Sequence, residues 1–321
     1  MKPRLFAIIA CLIAAGFSME ASAAWPERPI RILVPYPPGG TSDSTARVAA
    51  EWIERSLKQS VVVENRPGAG GAIAAEYLSR APADGYTLIL ASSGIMNILP
   101  RMQKVGFDTL RSFAPVYIMG IQRMALAVNS TIPVRTLAEL VAYAKERPGR
   151  VSFGSPGNGS TGHLTMALLL KRAGVTMTHV PYKGNVPALN DLLGGHIPMY
   201  AGSVFELVPH YRSGRIKILA ISSDKRMAQV PDVPTVAEQG YPGFLAWSWN
   251  ALLAPAGTPT EVISTLADAF KPACRDKEFE AKLAALGTDA LCNTPEQFAE
   301  RLRTDWNFWG EAVKISGAAK Q

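Results

Sequence analysis

Two glycine-rich segments hold most of the residues whose types could do chemistry. Gly154-Ser155-Pro156-Gly157-Asn158-Gly159-Ser160-Thr161-Gly162-His163 joins a short apolar run to a helical pattern. Its glycines leave backbone N–H groups open, and Ser155, Ser160 and Thr161 add hydroxyl donors. The helix that follows turns its positive end toward the same place. Donors of that kind hold a carboxylate or a phosphate. Pro35-Tyr36-Pro37-Pro38-Gly39-Gly40-Thr41-Ser42-Asp43 also lies between an apolar run and a helical pattern. Its prolines stiffen the chain, Gly39 and Gly40 allow a sharp turn, and Ser42 or Asp43 can cap the helix. Both a plain βα turn and a ligand loop at the carboxyl end of a strand fit this segment.

Smaller features point to the same sheet edge. Pro181-Tyr182-Lys183-Gly184 follows a strand pattern, so Lys183 could pair with a carboxylate and Tyr182 could stack on it or bond to it. Ser92-Ser93-Gly94 ends the third strand pattern. In Trp247-Ser248-Trp249-Asn250 the i, i+2 spacing puts both indoles on one strand face, where a core or interdomain anchor is expected.

Other chemistries find less support. Gly157, Gly159 and Gly162 spell G-x-G-x-x-G, the dinucleotide fingerprint. That fingerprint needs an acid about 20 residues on, and Met177-Thr178-His179-Val180-Pro181-Tyr182-Lys183 supplies none. A Ser160/His163 dyad in an exported hydrolase is the rival reading, but no orienting acid lies near in sequence and there is no G-x-S-x-G elbow. No CxxC or His/Cys cluster argues for a metal, no cofactor is expected, and no Lys/Arg run interleaved with aromatics argues for nucleic acid.

The elements that must position these loops alternate as strand and helix, the mark of an α/β sheet. Strand patterns cover 30–34, 61–63, 86–90, 151–153, 177–180, 198–201 and 216–221, and helical patterns cover 42–58, 70–79, 136–147, 161–173, 186–193 and 203–211. The tail reads as helical over 261–270, 277–286 and 295–313. Without a flexible linker, two lobes must be joined by ordered strands, and the helical tail is expected to return to the first lobe. The expected division is 24–125 plus 250–321 for one lobe and 126–249 for the other.

At 321 residues with 48% hydrophobic and 18% charged content, the chain can bury two cores. Its net charge of +7 suits an anionic small ligand without demanding one. Residues 1–23 read as a cleaved signal peptide: Lys2 and Arg4, an apolar run from Leu5 to Phe17, then Ala21-Ser22-Ala23. The apolar run is shorter than the roughly 20 residues a membrane span needs, so release into the periplasm is expected. Ile8-Ile9-Ala10-Cys11 matches a lipoprotein box only loosely. Cys274 and Cys292 would then form an even pair in an oxidising compartment, where a disulfide is expected.

Trp25-Pro26 through Gly39-Gly40, then Glu64-Asn65-Arg66-Pro67-Gly68-Ala69-Gly70-Gly71 and Asp84-Gly85-Tyr86-Thr87-Leu88, closely resemble the Bug family. These are periplasmic solute-binding receptors related to the tripartite tricarboxylate transporter. The resemblance continues through Gly184, Gly194-Gly195, Gly214, Pro231-Asp232-Val233-Pro234-Thr235 and Ala254-Pro255-Ala256-Gly257-Thr258-Pro259. It implies an α/β two-lobed periplasmic binding protein (type II, Venus-flytrap) with a ligand cleft between the lobes, acting as a monomer and not as an enzyme. It further implies that the Tyr36–Thr41 loop, with Gly39 and Gly40, holds one end of a ligand, and that the Ser155–His163 loop, with Gly159, Ser160 and Thr161, grips a carboxylate from the other lobe. Ser93, Tyr182, Lys183 and Ser203 complete the expected ligand-binding set. A membrane transporter component or a sensor is the implied partner. One departure stands out: where many members carry an acid in a Phe-Asp-like pair, this chain reads Tyr200-Ala201-Gly202-Ser203. That loss argues against an amino-acid ligand and favours a dicarboxylate, a hydroxy acid or an aromatic carboxylate.

Overall fold

The computed structural model describes residues 25–318. The expected signal peptide, residues 1–23, lies outside the described residues. The first lobe opens with β1 (Ile30–Val34), α1 (Thr41–Leu57), β2 (Val61–Asn65), α2 (Ala72–Ser79) and β3 (Thr87–Ser92). β1 pairs in parallel with both β2 and β3, as right-handed βα units require. After β3 the chain makes a π turn over Gly94–Ile98 and a short helix α3 (Leu99–Met102).

β4 (Phe113–Asn129) is 17 residues long and carries the chain from one lobe to the other. Its first part, to Arg123, pairs antiparallel with β9 (Trp247–Pro255); from Met124 onward it pairs with β7 and β8 in the second lobe. That lobe contains α4 (Leu137–Lys145), β5 (Ser152–Ser155), α5 (Thr161–Ala173), β6 (Thr178–Pro181), α6 (Asn185–Gly194), β7 (Met199–Ser203), α7 (Val204–Arg212) and β8 (Ile216–Ser222). β9 then returns to the first lobe, where α8 (Thr260–Asp268), α9 (Lys277–Ala285) and the two-residue β10 (Asp289–Ala290) follow. The strand path runs β2-β1-β3-β9-β4-β7-β5-β6, with β8 and β10 also on β4. The fold is therefore two α/β lobes joined by continuous strands, as expected for a binding protein of this type.

Neither crossing strand alternates apolar and polar residues. β4 is buried along most of its length and β9 at all but its first residue, because helices cover both faces. Each lobe has core on both sides of its sheet: Ile32, Leu90 and Phe270 on one face and Leu33, Ile89 and Trp249 on the other in the first, Leu126, Phe153 and Leu168 opposite Tyr200, Leu207 and Ile218 in the second.

The last helix, α10 (Pro295–Ser316), departs from the expected course. Its first half packs Phe298 and Leu302 into the first lobe, but Trp309, Ala312 and Val313 belong to the second-lobe core with Leu164 and Leu168. A 22-residue helix spans roughly 33 Å, enough to bridge both lobes. Among the described residues no helix is long and apolar enough to cross a membrane. Cys274 and Cys292 face each other with Cα atoms 5.3 Å apart, within the span of a disulfide.

Candidate functional site

The β5–α5 loop is built around Ser155. Its Oγ lies 2.7 Å from His179 Nε2, accepts the Gly157 N–H at 3.2 Å and accepts from the Ser160 hydroxyl at 3.3 Å. Gly157 and Gly159 sit at φ +145° and +72°, which glycine adopts without the strain a Cβ brings. Ser160 caps α5 by accepting the His163 N–H at 3.3 Å. The Gly159 N–H donates to His163 Nδ1 at 3.1 Å. Burial, and then the neighbouring His179 ring, lower His163 to about 4, so the imidazole is neutral and Nδ1 is free to accept.

On the first lobe, Asp43 anchors the β1–α1 loop. Its carboxylate accepts from Gly39 N–H at 3.1 Å, Asn65 Nδ2 at 3.0 Å and Arg47 Nε at 3.0 Å. The Arg47 guanidinium is the main cause holding that carboxyl below the usual range. Asn65 Nδ2 also donates to the Tyr36 carbonyl at 3.1 Å, fixing where Tyr36 turns. The Tyr36 side chain is 36% exposed overall, yet its hydroxyl end bonds to Ser92 and loss of water there raises its pKa.

A cavity of about 280 Å³ joins the two loops. The first lobe contributes Tyr36, Ser92, Gly94, Ile98 and Ser248, and the crossing strand contributes Gln122 and Met124. From the second lobe come Pro156, Gly159, Ser160, Thr161 and Gly162, together with Asn185, Gly202 and Ser203. Gln122 pairs in register with Ser248, and Met124 with Ser203, so the floor lies where β4 passes from one sheet to the other. Ligand crevices in open α/β sheets form at such switch points. Thr161, Asn185 and Ser203 each stand at the start of a helix, α5, α6 and α7, so three positive helix ends converge from one lobe. The lining holds hydroxyls and amides and no charged side chain. Such a wall can hold an anion through neutral donors.

The structure brings Tyr36, Gly159, Ser160, Thr161 and Ser203 of the expected set to this cavity. The others stand elsewhere. Gly39, Gly40 and Thr41 are exposed outside the lining, because the turn carries them past Tyr36 toward solvent. Ser93 is fully buried behind the wall, its hydroxyl 2.9 Å from Ser248 Oγ. Ser155 is likewise fully buried and shapes the loop from behind. His163 stacks on His179 and lines a different depression on the far side of α5. Tyr182 donates to Asp191 Oδ2 at 2.6 Å; loss of water and that bond push it up to about 12. Lys183 is exposed beyond the lining.

The rival Ser160/His163 dyad does not form: His163 Nδ1 accepts the Gly159 N–H, and the Ser160 hydroxyl donates to Ser155 Oγ. Ile98, Gln122, Met124 and Asn185 are the lining residues that sequence reasoning missed. Ser248 had a readable signal: with Trp247 and Trp249 on one strand face, the residue between them faces the other way. Trp249 is the buried anchor, donating to Asp305 Oδ2 at 2.7 Å.

Two α/β lobes joined at a crossing strand, with a neutral donor-lined cavity there, define a solute-binding receptor of the periplasmic binding protein type. The chain belongs to the Tripartite tricarboxylate transporter family receptor group, whose sequence profile matches residues 45–317. Its members are solute-binding proteins and not enzymes. The chain is 38% identical to Protein BugT of Bordetella pertussis over 319 residues, 98% of each chain, which makes the Bug resemblance firm. An R. palustris chain solved with adipate is 34% identical, with 91% of this chain and 98% of that chain covered and a TM-score of 0.73. A TctC solute-binding protein from Polaromonas, solved without ligand, is 30% identical with a TM-score of 0.84, covering 90% and 99%.

Proposed function

We propose that this protein captures a small organic carboxylate in the periplasm, after export directed by residues 1–23, and hands it to a membrane transporter component or presents it to a sensor. The observation that carries the reading is the convergence of three helix N-termini and six hydroxyls on one uncharged cavity between the lobes. The adipate held by the similar R. palustris chain supports a carboxylate. A dicarboxylate, a hydroxy acid or an aromatic carboxylate is the expected guest, gripped by Ser160, Thr161 and the open N-terminal turn of α5 and met from the other lobe by Tyr36, Ser92 and Ser248.

Binding closes the lobes by a hinge at the β4 and β9 crossings, because a ligand touching both walls favours the closed form. Isothermal titration with adipate, succinate, malate and benzoate tests the reading. A dissociation constant on the order of 1 μM is expected for the best of them. Flat titrations across the panel, with no co-purified carboxylate in native mass spectra, would refute it.

A further inference from the structure

Behind the cavity wall stands a carboxyl group that the binding scheme above does not use. Glu206, in the first turn of α7, accepts the Ser203 N–H at 2.8 Å and the Tyr200 hydroxyl at 2.9 Å, and the Asn185 side chain also bonds to it. Ser203 and Asn185 both line the cavity, and so does Gly202. A Cβ added at Gly202 would come within 2.2 Å of Glu206 Oε1 and within 2.2 Å of the Tyr200 ring. The carboxyl therefore fills the space that a side chain at 202 would take.

The groups facing Glu206 are Tyr200 from β7, Asn185 from α6 and the Ser203 backbone of its own cap. No cation pairs with it among the described residues. Burial raises its pKa, with the three hydrogen bonds opposing. A buried carboxylate without a counter-cation is costly, and a ligand donor beside it would remove that cost.

We infer that Glu206 is a specificity-determining positioning residue, which favours a carboxylate ligand bearing an adjacent donor, an ammonium above a hydroxyl, over one that brings a second carboxylate to that wall. This rests on the carboxylate-receptor reading above and reverses the expectation drawn from the missing acid at 202. Binding is consequently linked to protons. An ammonium ligand favours the ionised Glu206, so it releases protons and binds more tightly as pH rises. A ligand that sets a second carboxylate there takes up protons and binds less tightly as pH rises.

The test uses succinate, malate and aspartate, which differ by H, OH and NH3+ at one carbon. Titrations run at two pH values in buffers of different ionisation enthalpy. Glu206→Gln is the informative variant because glutamine also completes a capping box, so α7 keeps its start. The wild type is expected to prefer aspartate over succinate by about tenfold or more, with proton release for aspartate. In Glu206→Gln that preference is expected to fall to about twofold or less, and the proton exchange to vanish. An unchanged preference and proton count in the variant would overturn the inference alone. Succinate binding best to the wild type would do the same. No binding of any of the three to the wild type overturns it too, while the wider carboxylate panel decides separately whether the receptor reading stands.

Discussion

His163 and His179 lie face to face, their ring centroids 3.8 Å apart and their planes 4° from parallel. Each ring holds one point of the β5–α5 loop: His163 Nδ1 takes the Gly159 N–H, and His179 Nε2 touches Ser155 Oγ. Two cationic rings cannot share that stack, and a protonated His163 could not accept the Gly159 N–H, so the loop keeps this bond only while His163 is neutral.

The pH dependence of stability follows from that pair. Burial lowers both pKa values, His163 to about 4. The unfolded chain takes up protons near pH 6.5 while the native state does not, so stability is complete above about pH 6.5 and falls as pH drops toward 4. The loss from His163 reaches up to about 3 kcal/mol. Urea unfolding at pH 8, 6 and 4.5 measures it, and His163→Gln should flatten the curve. A pH-independent midpoint over this range would contradict the pairing.

Ser160 caps α5 and lines the cavity, where its hydroxyl proton, given to Ser155 in this structure, would turn to a bound carboxylate. Ser160→Ala removes the oxygen that accepts the His163 N–H, and should cost about 1 kcal/mol of stability. Ser160→Gly should cost only a few tenths of that cap energy. Both variants should weaken carboxylate binding alike, since both lose the hydroxyl. Thermal melts with and without ligand separate the two effects.

Gly162→Ala tests the close approach of α5 to β7. A Cβ there would lie 2.2 Å from the Ala201 carbonyl oxygen, a backbone atom that cannot swing aside. Overpacking of this kind costs about 1–3 kcal/mol, and the shift of α5 should also abolish tight binding. A wild-type melting temperature in this variant would show that the two elements are looser than described.

Asp305 is fully buried, accepts from Trp249 Nε1 and pairs with Arg301 at 2.5 Å. Asp305→Ala leaves the Arg301 guanidinium, 17% exposed, without its partner. Loss of about 3–5 kcal/mol is expected by chemical denaturation. Leu302→Ala, one turn away in the same helix, offers the comparison for simple loss of packing.

Cys274 and Cys292 should be bridged in protein recovered from the periplasm. Closing a loop of that length contributes roughly 3 kcal/mol in the chain-entropy model. Intact mass should rise by two hydrogen atoms on reduction, and the reducing agent should lower the melting temperature. Two free thiols in the native protein would contradict this.

The βα alternation, the helix over Thr161–Ala173 and the glycine-rich loop before it were legible in the chain, because short-range rules govern them: apolar periodicity, an N-cap serine, a glycine at φ +63° closing the helix. The family resemblance was equally open to reading. β4 left no such mark. Its Phe113–Asn129 run is covered on both faces, so no alternation announces it, and its length makes sense only when two sheets share it. With β4 unread, Gln122 and Met124 could not be placed at the cavity floor. Which way each loop residue turns was likewise settled in three dimensions. Tyr36 faces the cavity while Gly40 and Thr41 do not, and His163 looks outward while Ser160 looks in. The sequence by itself determined the local elements and the kind of donors available. The tertiary structure decided which donors meet, and that Glu206 stands where position 202 offers no side chain, because such proximities depend on packing between segments far apart in the chain.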